Sequence, residues 1–332
     1  MRTTTATLAL VTVMAFCASN ASADSGKERE RIGVAIPYPV HTIDLSFSTD
    51  PVKRIIGANV ASTLLRTSSA DGTTLELLDG VDIRDGGKTI ALTLKPGLTF
   101  ANGSPVSGES FRDALEMLRE KARGNTKRAF DAVRSITVVE RQTYYQSDSS
   151  PQVVVLSLDA PLDDPQQFLA GLPIVDVNVG AQAGELFGSG TLFGAVAPFF
   201  VRENRPDQGM VLERVESYYR PGYPRAAVVD FKYFETAAEA LSALRVGAVD
   251  IIALPTASQL ESLEDDPTLQ AVASPLGRML GGSESWKLVR PYWSDSSAEH
   301  DRLQTDKIIV RKTLKLDNRF AQNFDLTGVY LP

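Results

Sequence analysis

The sequence predicts an α/β fold, and three observations point there. Short apolar runs with strand-like alternation recur from Arg31 to Leu254. Capped amphipathic helices separate them, at Asp50-Pro51, at Ser107 and at Thr236. Near residue 240 the order is strand, helix, strand, the pattern of a βαβ crossover. The composition agrees: 332 residues, 43% hydrophobic and 23% charged, is globular and long enough for two domains. A formal net charge of -7 argues against a nucleic-acid surface.

Taken in order, the chain opens with an export signal. Arg2 gives a thin positive start, Ala6 to Phe16 an apolar run too short for a membrane span, and Ala21-Ser22-Ala23 a small-residue cleavage site before Asp24. Cys17 is the only cysteine. Phe16 precedes it where a lipoprotein signal needs a small residue, so Cys17 is read as part of the signal, with no lipid attached. A chain cut after Ala23 then has neither disulfide nor thiol chemistry.

Arg31 to Pro37 reads as the first strand. Asp50 caps a helix with Pro51 in its first turn, and Val52, Ile55, Ile56, Val60 and Leu64 form its apolar face. Ile90, Leu92 and Leu94 alternate as a half-buried strand. Pro96-Gly97 and Asn102-Gly103 then turn the chain twice, and Ser107 caps a helix carrying Phe111, Leu115, Leu118 and Ala122. Ile136 to Val139 and Val153 to Leu158 read as a hairpin with a long polar tip, Gln142 to Ser150. Asp163-Asp164-Pro165 starts a short helix. Gly180 to Gly194 is small and glycine-rich, a loop or hinge. Val211 to Val215 and Val228 to Phe234 are strands joined irregularly through Tyr218-Tyr219-Arg220-Pro221-Gly222-Tyr223-Pro224. Thr236 and Glu239 form a capping box, Gly247 ends that helix, and Val249 to Leu254 follows as a buried strand.

The stretch from Leu94 to Phe111 (Leu-Lys-Pro-Gly-Leu-Thr-Phe-Ala-Asn-Gly-Ser-Pro-Val-Ser-Gly-Glu-Ser-Phe) resembles a segment of the extracytoplasmic peptide- and nickel-binding proteins of ABC importers, solute-binding protein family 5. Other segments agree in order. They are Ile43-Asp44 with Phe47 to Asp50, Asp71-Gly72 through Asp85-Gly86-Gly87-Lys88, Met210 to Arg214 with Tyr218-Tyr219, and Ala240 to Ile251. Departures are also present. The family's tyrosine–glutamate–glycine–leucine is Ser62-Thr63-Leu64-Leu65, which removes an aromatic that would line the cleft. The hinge motif is altered, with Gly188-Ser189-Gly190 and Ala197-Pro198-Phe199 supplying parts of it.

The resemblance implies a periplasmic binding protein-like fold of class II. Two lobes form a clamshell that closes over a ligand. The second lobe is incomplete. The implied division is signal peptide 1–23, lobe I from 24–49 and 184–258, a subdomain on its side over 50–183, and a remnant of lobe II over 259–332. Arg311-Lys312-Thr313-Leu314 resembles a segment that opens part of that second lobe. The acidic residue that holds a peptide's amino group lies in the family's missing region.

The implied function is capture of a peptide or similar small solute for the membrane subunits of an ABC importer. The implied protein is a monomer in the periplasm or secreted, with no cofactor, no metal and no nucleic acid. Ligand contacts are expected at Ser48 and Thr49, before the first helix, and at Ser189 and Gly190 in the hinge. An equal reading of Ser48 and Thr49 is loop capping. The alternative function keeps the fold without the transport: an accessory or interaction module, or the product of a truncated gene.

Catalysis has little support. His41 and His300 are the only histidines, neither in a metal-ligand spacing, and no HExxH or nucleophile-elbow motif occurs. Gly188 to Gly194 lacks dinucleotide-loop spacing. The acidic run Glu261, Glu264, Asp265 and Asp266 reads as a solvated helix end before Pro267. Trp286, Tyr292 and Trp293 read as local packing in a polar tail, with a ligand floor as the alternative.

Overall fold

The computed structural model describes residues 31–43, 50–68, 72–140, 152–179, 194–262, 266, 268–273 and 307–311. The expected export signal, Cys17, His300, Trp286, Tyr292 and Trp293 lie outside the described residues.

A seven-stranded sheet is built around one deeply buried strand. This is β1 (Arg31–Ile36), in which every residue after Arg31 is buried. It is flanked on both sides by parallel partners: β10 (Val228–Tyr233), with Arg31 opposite Val228, and β11 (Ile251–Ile252), with Val34 opposite Ile251. A strand covered on both faces needs a continuous apolar run, which Ile-Gly-Val-Ala-Ile supplies. The expected crossover from β10 through α5 (Ala237–Val246) to β11 is present, and β1 fills the gap between its two strands. The expected strand from Val249 to Leu254 shortens to Ile251–Ile252. Asp250 holds its start, accepting from the Gly33 backbone N–H at 3.0 Å.

On one flank, β9 (Gly209–Arg214) and β8 (Phe199–Arg205) add antiparallel strands. Gly209 has φ 137°, and a Cβ there would lie 1.9 Å from the carbonyl oxygen of Phe231, so only glycine fits. On the other flank the order runs β11, β13 (Lys307–Arg311), β12 (Leu269–Ala273). Both outer strands fall within the stretch 259–332, yet they run in the sheet that contains β1. Arg311 ends a strand there.

The smaller sheet has the order β4-β5-β7-β6, built from β4 (Leu78–Arg84), β5 (Thr89–Leu94), β7 (Gln152–Leu158) and β6 (Val133–Glu140). Every pairing is antiparallel. Ile90, Leu92 and Leu94 bury one face, as their alternation predicts. Helix α2 (Gly108–Lys121) covers that face with Phe111, Ala114, Leu115 and Leu118. Ser107 caps it by accepting from the Ser110 N–H, and Ser110 returns the bond. Helix α3 (Gly124–Asp131), which sequence periodicity did not single out, brings Phe130 against Phe168 of α4 (Pro165–Ala170), with ring centroids 5.0 Å apart. A two-stranded hairpin, β2 (Leu65–Ser68) with β3 (Gly72–Leu75), lies beside α4.

Helix α1 (Pro51–Val60) starts as read. Asp50 accepts from the Lys53 N–H at 2.9 Å and from the Tyr38 hydroxyl at 2.9 Å. Thr236 and Glu239 close the capping box of α5, and Gly247 takes the left-handed conformation at its end, φ 79°. A short helix, α6 (Ala257–Glu261), follows. One continuous apolar core runs through both sheets, from Ile32 and Phe231 to Phe111 and Leu156. A second, smaller core gathers Ala35, Leu241, Leu244, Ile252 and Leu269 around α5.

Candidate functional site

The two sheets meet where α1 ends. Ala61 leaves the helix in an extended conformation, so the next backbone groups must find partners outside it. They find them in two distant segments. The Ser62 N–H donates to the Val196 carbonyl at 2.7 Å, and the Leu64 N–H to Leu172 at 2.9 Å. Val196 in turn donates to Ile174 at 3.1 Å, and Asp176 to Gly194 at 2.7 Å. Single bridges join Thr63 to Pro173 and Val175 to Ala195. Three strips of chain, at 61–64, 172–176 and 194–196, are thereby stitched into one wall.

The most family-like segment of the sequence docks onto this wall. Its second turn places Ala101 to donate to the Ala195 carbonyl at 2.8 Å, and Asn102 Nδ2 to donate to Asp176 Oδ2 at 3.2 Å. Asp176 also accepts from the Asn178 N–H at 2.9 Å. The Asn102-Gly103 turn, read from the sequence as local punctuation, is therefore also a long-range joint.

Behind the wall lies a polar cluster centred on Glu76, whose residue surface is 7% exposed. Tyr218 and Tyr219 donate their hydroxyls to Glu76 Oε1 at 3.1 and 2.7 Å. The Tyr218 hydroxyl has one proton, so the Ser62 hydroxyl 2.9 Å away is the donor to it. The order is Ser62 to Tyr218 to Glu76. Arg66 Nη1 stands 3.4 Å from Glu76 Oε2, and Arg220 Nη1 stands 3.8 Å from Oε1. Lys95 donates to the backbone carbonyls of Leu75 and Glu76 and lies 5.2 Å from the centre of the Tyr219 ring. Arg220 covers the ring of Tyr223 at 4.4 Å. Burial, and then the neighbouring Glu76 charge, push the Tyr218 and Tyr219 phenols well above their ordinary range, so both stay neutral donors. Burial lowers the Lys95 ammonium. The cluster ties the β3–β4 connection to the β9–β10 connection. Its physical role is to fix the smaller sheet against the larger one, with the Ser62 hydroxyl held at the wall.

All four ligand-contact residues expected from the sequence, Ser48, Thr49, Ser189 and Gly190, lie outside the described residues. The described chain resumes at Asp50, the cap of α1, and at Gly194, a member of the wall. Sequence reading placed Tyr218 and Tyr219 in an irregular connection between two strands. It missed Glu76, because Leu75-Glu76-Leu77-Leu78 carries no signal that two guanidinium groups and two phenols from elsewhere converge on one carboxylate. Of the histidines, His41 is exposed and 3.7 Å from the exposed Asp207. Among the described residues no group of three or more His, Cys, Asp or Glu side chains is placed to hold a metal. Among them, too, no helix is long and apolar enough to cross a membrane.

Comparison with known proteins gives the family. The model for bacterial extracellular solute-binding proteins, family 5 Middle, matches residues 73–288. The chain belongs to that family. A dipeptide-binding protein of Lactococcus lactis subsp. cremoris is 28% identical over 99 residues, 30% of this chain and 17% of that protein. The structure of AgaA from A. tumefaciens R10 in complex with agropinic acid matches with TM-score 0.62 and 19% identity, over 73% of this chain and 47% of that one. Listeria monocytogenes OppA bound to peptide matches with TM-score 0.62 and 11% identity, over 74% and 50%. At these identities the structures establish the fold alone. The chain spans about half the length of the solved structures it matches.

Proposed function

We infer that this chain is the solute-recognition component of an ABC importer, working outside the cytoplasm on a peptide or similar small solute. The observation that carries the reading is the family match over residues 73–288. The stitched wall at the end of α1 supports it, because it gives a rigid frame that includes Gly194, where the described chain resumes after the expected hinge. Ser48 and Thr49 would offer hydroxyls and backbone N–H groups at the start of α1, where a ligand's anionic end is favoured. Ser189 and Gly190 would complete the contact from the hinge. The export signal, cut after Ala23, would deliver the protein to the periplasm or medium. Lobe I would comprise 24–49 and 184–258, with 50–183 as its subdomain and 259–332 as the remnant of lobe II.

A second reading keeps the fold without the transport, as an accessory module that binds a protein partner; the altered hinge motif and the aromatic missing at Ser62-Thr63-Leu64-Leu65 are the departures that favour it. A thermal-shift screen of Asp24 to Pro332 against di-, tri- and oligopeptides, opines, nickel chelates and sugars separates the two. A solute present at a hundred times its dissociation constant adds about 2.7 kcal/mol of stability. A saturable shift with one class establishes a working binding protein. A cooperative melt that no solute moves favours the accessory reading.

A further inference from the structure

One buried acidic side chain in the wall has no counter-charge. Asp176 lies at the joint where 172–176 meets 194–196, and its residue surface is 8% exposed. Its carboxylate accepts from two neutral donors, Asn102 Nδ2 at 3.2 Å on Oδ2 and the Asn178 N–H at 2.9 Å on Oδ1. It makes no ion pair among the described residues. Two other buried carboxylates differ. Glu76 faces Arg66 and Arg220, and Asp230 faces Arg31, Arg205 and Lys232. A carboxylate withdrawn from water calls for a cation as well as hydrogen bonds, because neutral donors return only part of its lost hydration.

The chain around Asp176 supplies none. From Gln142 to Val201 the sequence holds no Lys, Arg or His, and this stretch includes both strips that frame Asp176 and every residue between them. An Asx turn accounts for the bond from Asn178, and docking of the Asn102-Gly103 turn for the bond from Asn102. Neither bond requires a charge. Each carboxylate oxygen carries one of these donors and keeps a further lone pair. Gly194 sets the surroundings: a Cβ there would stand 3.2 Å from Asp176 Cβ and 2.9 Å from Val179 Cγ2. The chain that resumes after the expected hinge therefore lies directly against this side chain.

We propose that Asp176 is a ligand-contact residue, and that its counter-charge is an ammonium or guanidinium group carried by the solute. The inference rests on the solute-binding reading and narrows it to cationic solutes, such as a peptide with a free amino end. A bare metal ion is a poorer occupant, since among the described residues no group of three metal-ligating side chains stands here.

Isothermal titration of the full chain tests it with matched pairs: alanyl-alanine, trialanine and putrescine, each against its N-acetylated form, with nickel(II) alone as a further probe. The expected result is that a free-amine form binds at least about tenfold tighter than its acetylated partner, and that D176N removes the preference. Asn102→Ala breaks the same joint but keeps the carboxylate, so it retains the preference, which a merely structural role for Asp176 does not predict. Equal binding of the paired forms, a preference unchanged in D176N, or binding of nickel(II) alone overturns the inference and leaves the solute-binding reading standing. A chain that binds none of the probes overturns the inference and counts against that reading as well.

Discussion

The two sheets of this molecule are assembled in opposite ways. The smaller one takes all its strands from residues 78–158, and each neighbour is antiparallel. The larger one sets β1 beside strands about 200 residues further along the chain, and those pairings are parallel. Yet one apolar core runs through both. The difference teaches that local construction and independent stability are separate properties: the smaller sheet is locally built but shares its core.

The strongest way to break that comparison is to open a cavity on each side. Phe111→Ala beneath the smaller sheet and Phe231→Ala within the larger one each remove a fully buried ring, and each should cost about 3–5 kcal/mol. Urea unfolding followed by both near- and far-ultraviolet circular dichroism should still show one coincident transition. Two separate transitions in either variant would mean that the sheets are independent units.

The joint between them comes next. Glu76→Ala leaves Arg66 and Arg220 facing a vacated site and should cost about 3 kcal/mol. Its denaturant midpoint should fall with little change in the slope, and an unchanged midpoint would show the joint to be idle.

The same joint has a pH signature. Tyr218 and Tyr219 are raised in the folded protein above the ordinary phenol value of 10.0. Folded phenols hold their protons where unfolded ones release them. Their contribution is therefore complete below about pH 10 and declines as pH rises above it. Stability measured from neutral to strongly alkaline pH should fall less steeply in Tyr218→Phe and Tyr219→Phe than in the unchanged chain.

The smallest expected effect is local. Asp50→Ala removes the cap of α1 and should cost about 1 kcal/mol, while Asp50→Asn should recover most of it. Thermal melts of the pair decide this, and equal losses would mean the charge matters and the cap does not.

What the sequence disclosed follows the same division. Ser107, Asp50, Thr236 with Glu239, and Gly247 act within a few residues of themselves, and each was readable. The buried face of Ile90, Leu92 and Leu94 needed only alternation. The position of β1 between β10 and β11, the placement of Lys307–Arg311 in the first sheet, and the convergence on Glu76 depend on partners far away in the chain. Single-sequence periodicity has no access to them. Of the site, the wall was half legible. The family-like turn at Asn102-Gly103 was seen, while its partners Asp176 and Ala195 were not. The four expected ligand contacts, Ser48, Thr49, Ser189 and Gly190, remain proposals.

The central place of β1 also sets an order of events. A strand made near the start of the chain has no neighbours until residues 228–233 and 251–252 have appeared, and closing so long a loop is slow. The smaller sheet needs nothing beyond residue 158 for its strand pairs, so it can form while β1 waits. Pulse-labelled hydrogen exchange during refolding should protect Leu92 and Leu156 before Val34. For a chain made from its N-terminal end, that order leaves β1 without its sheet neighbours until the segments that flank it have been made.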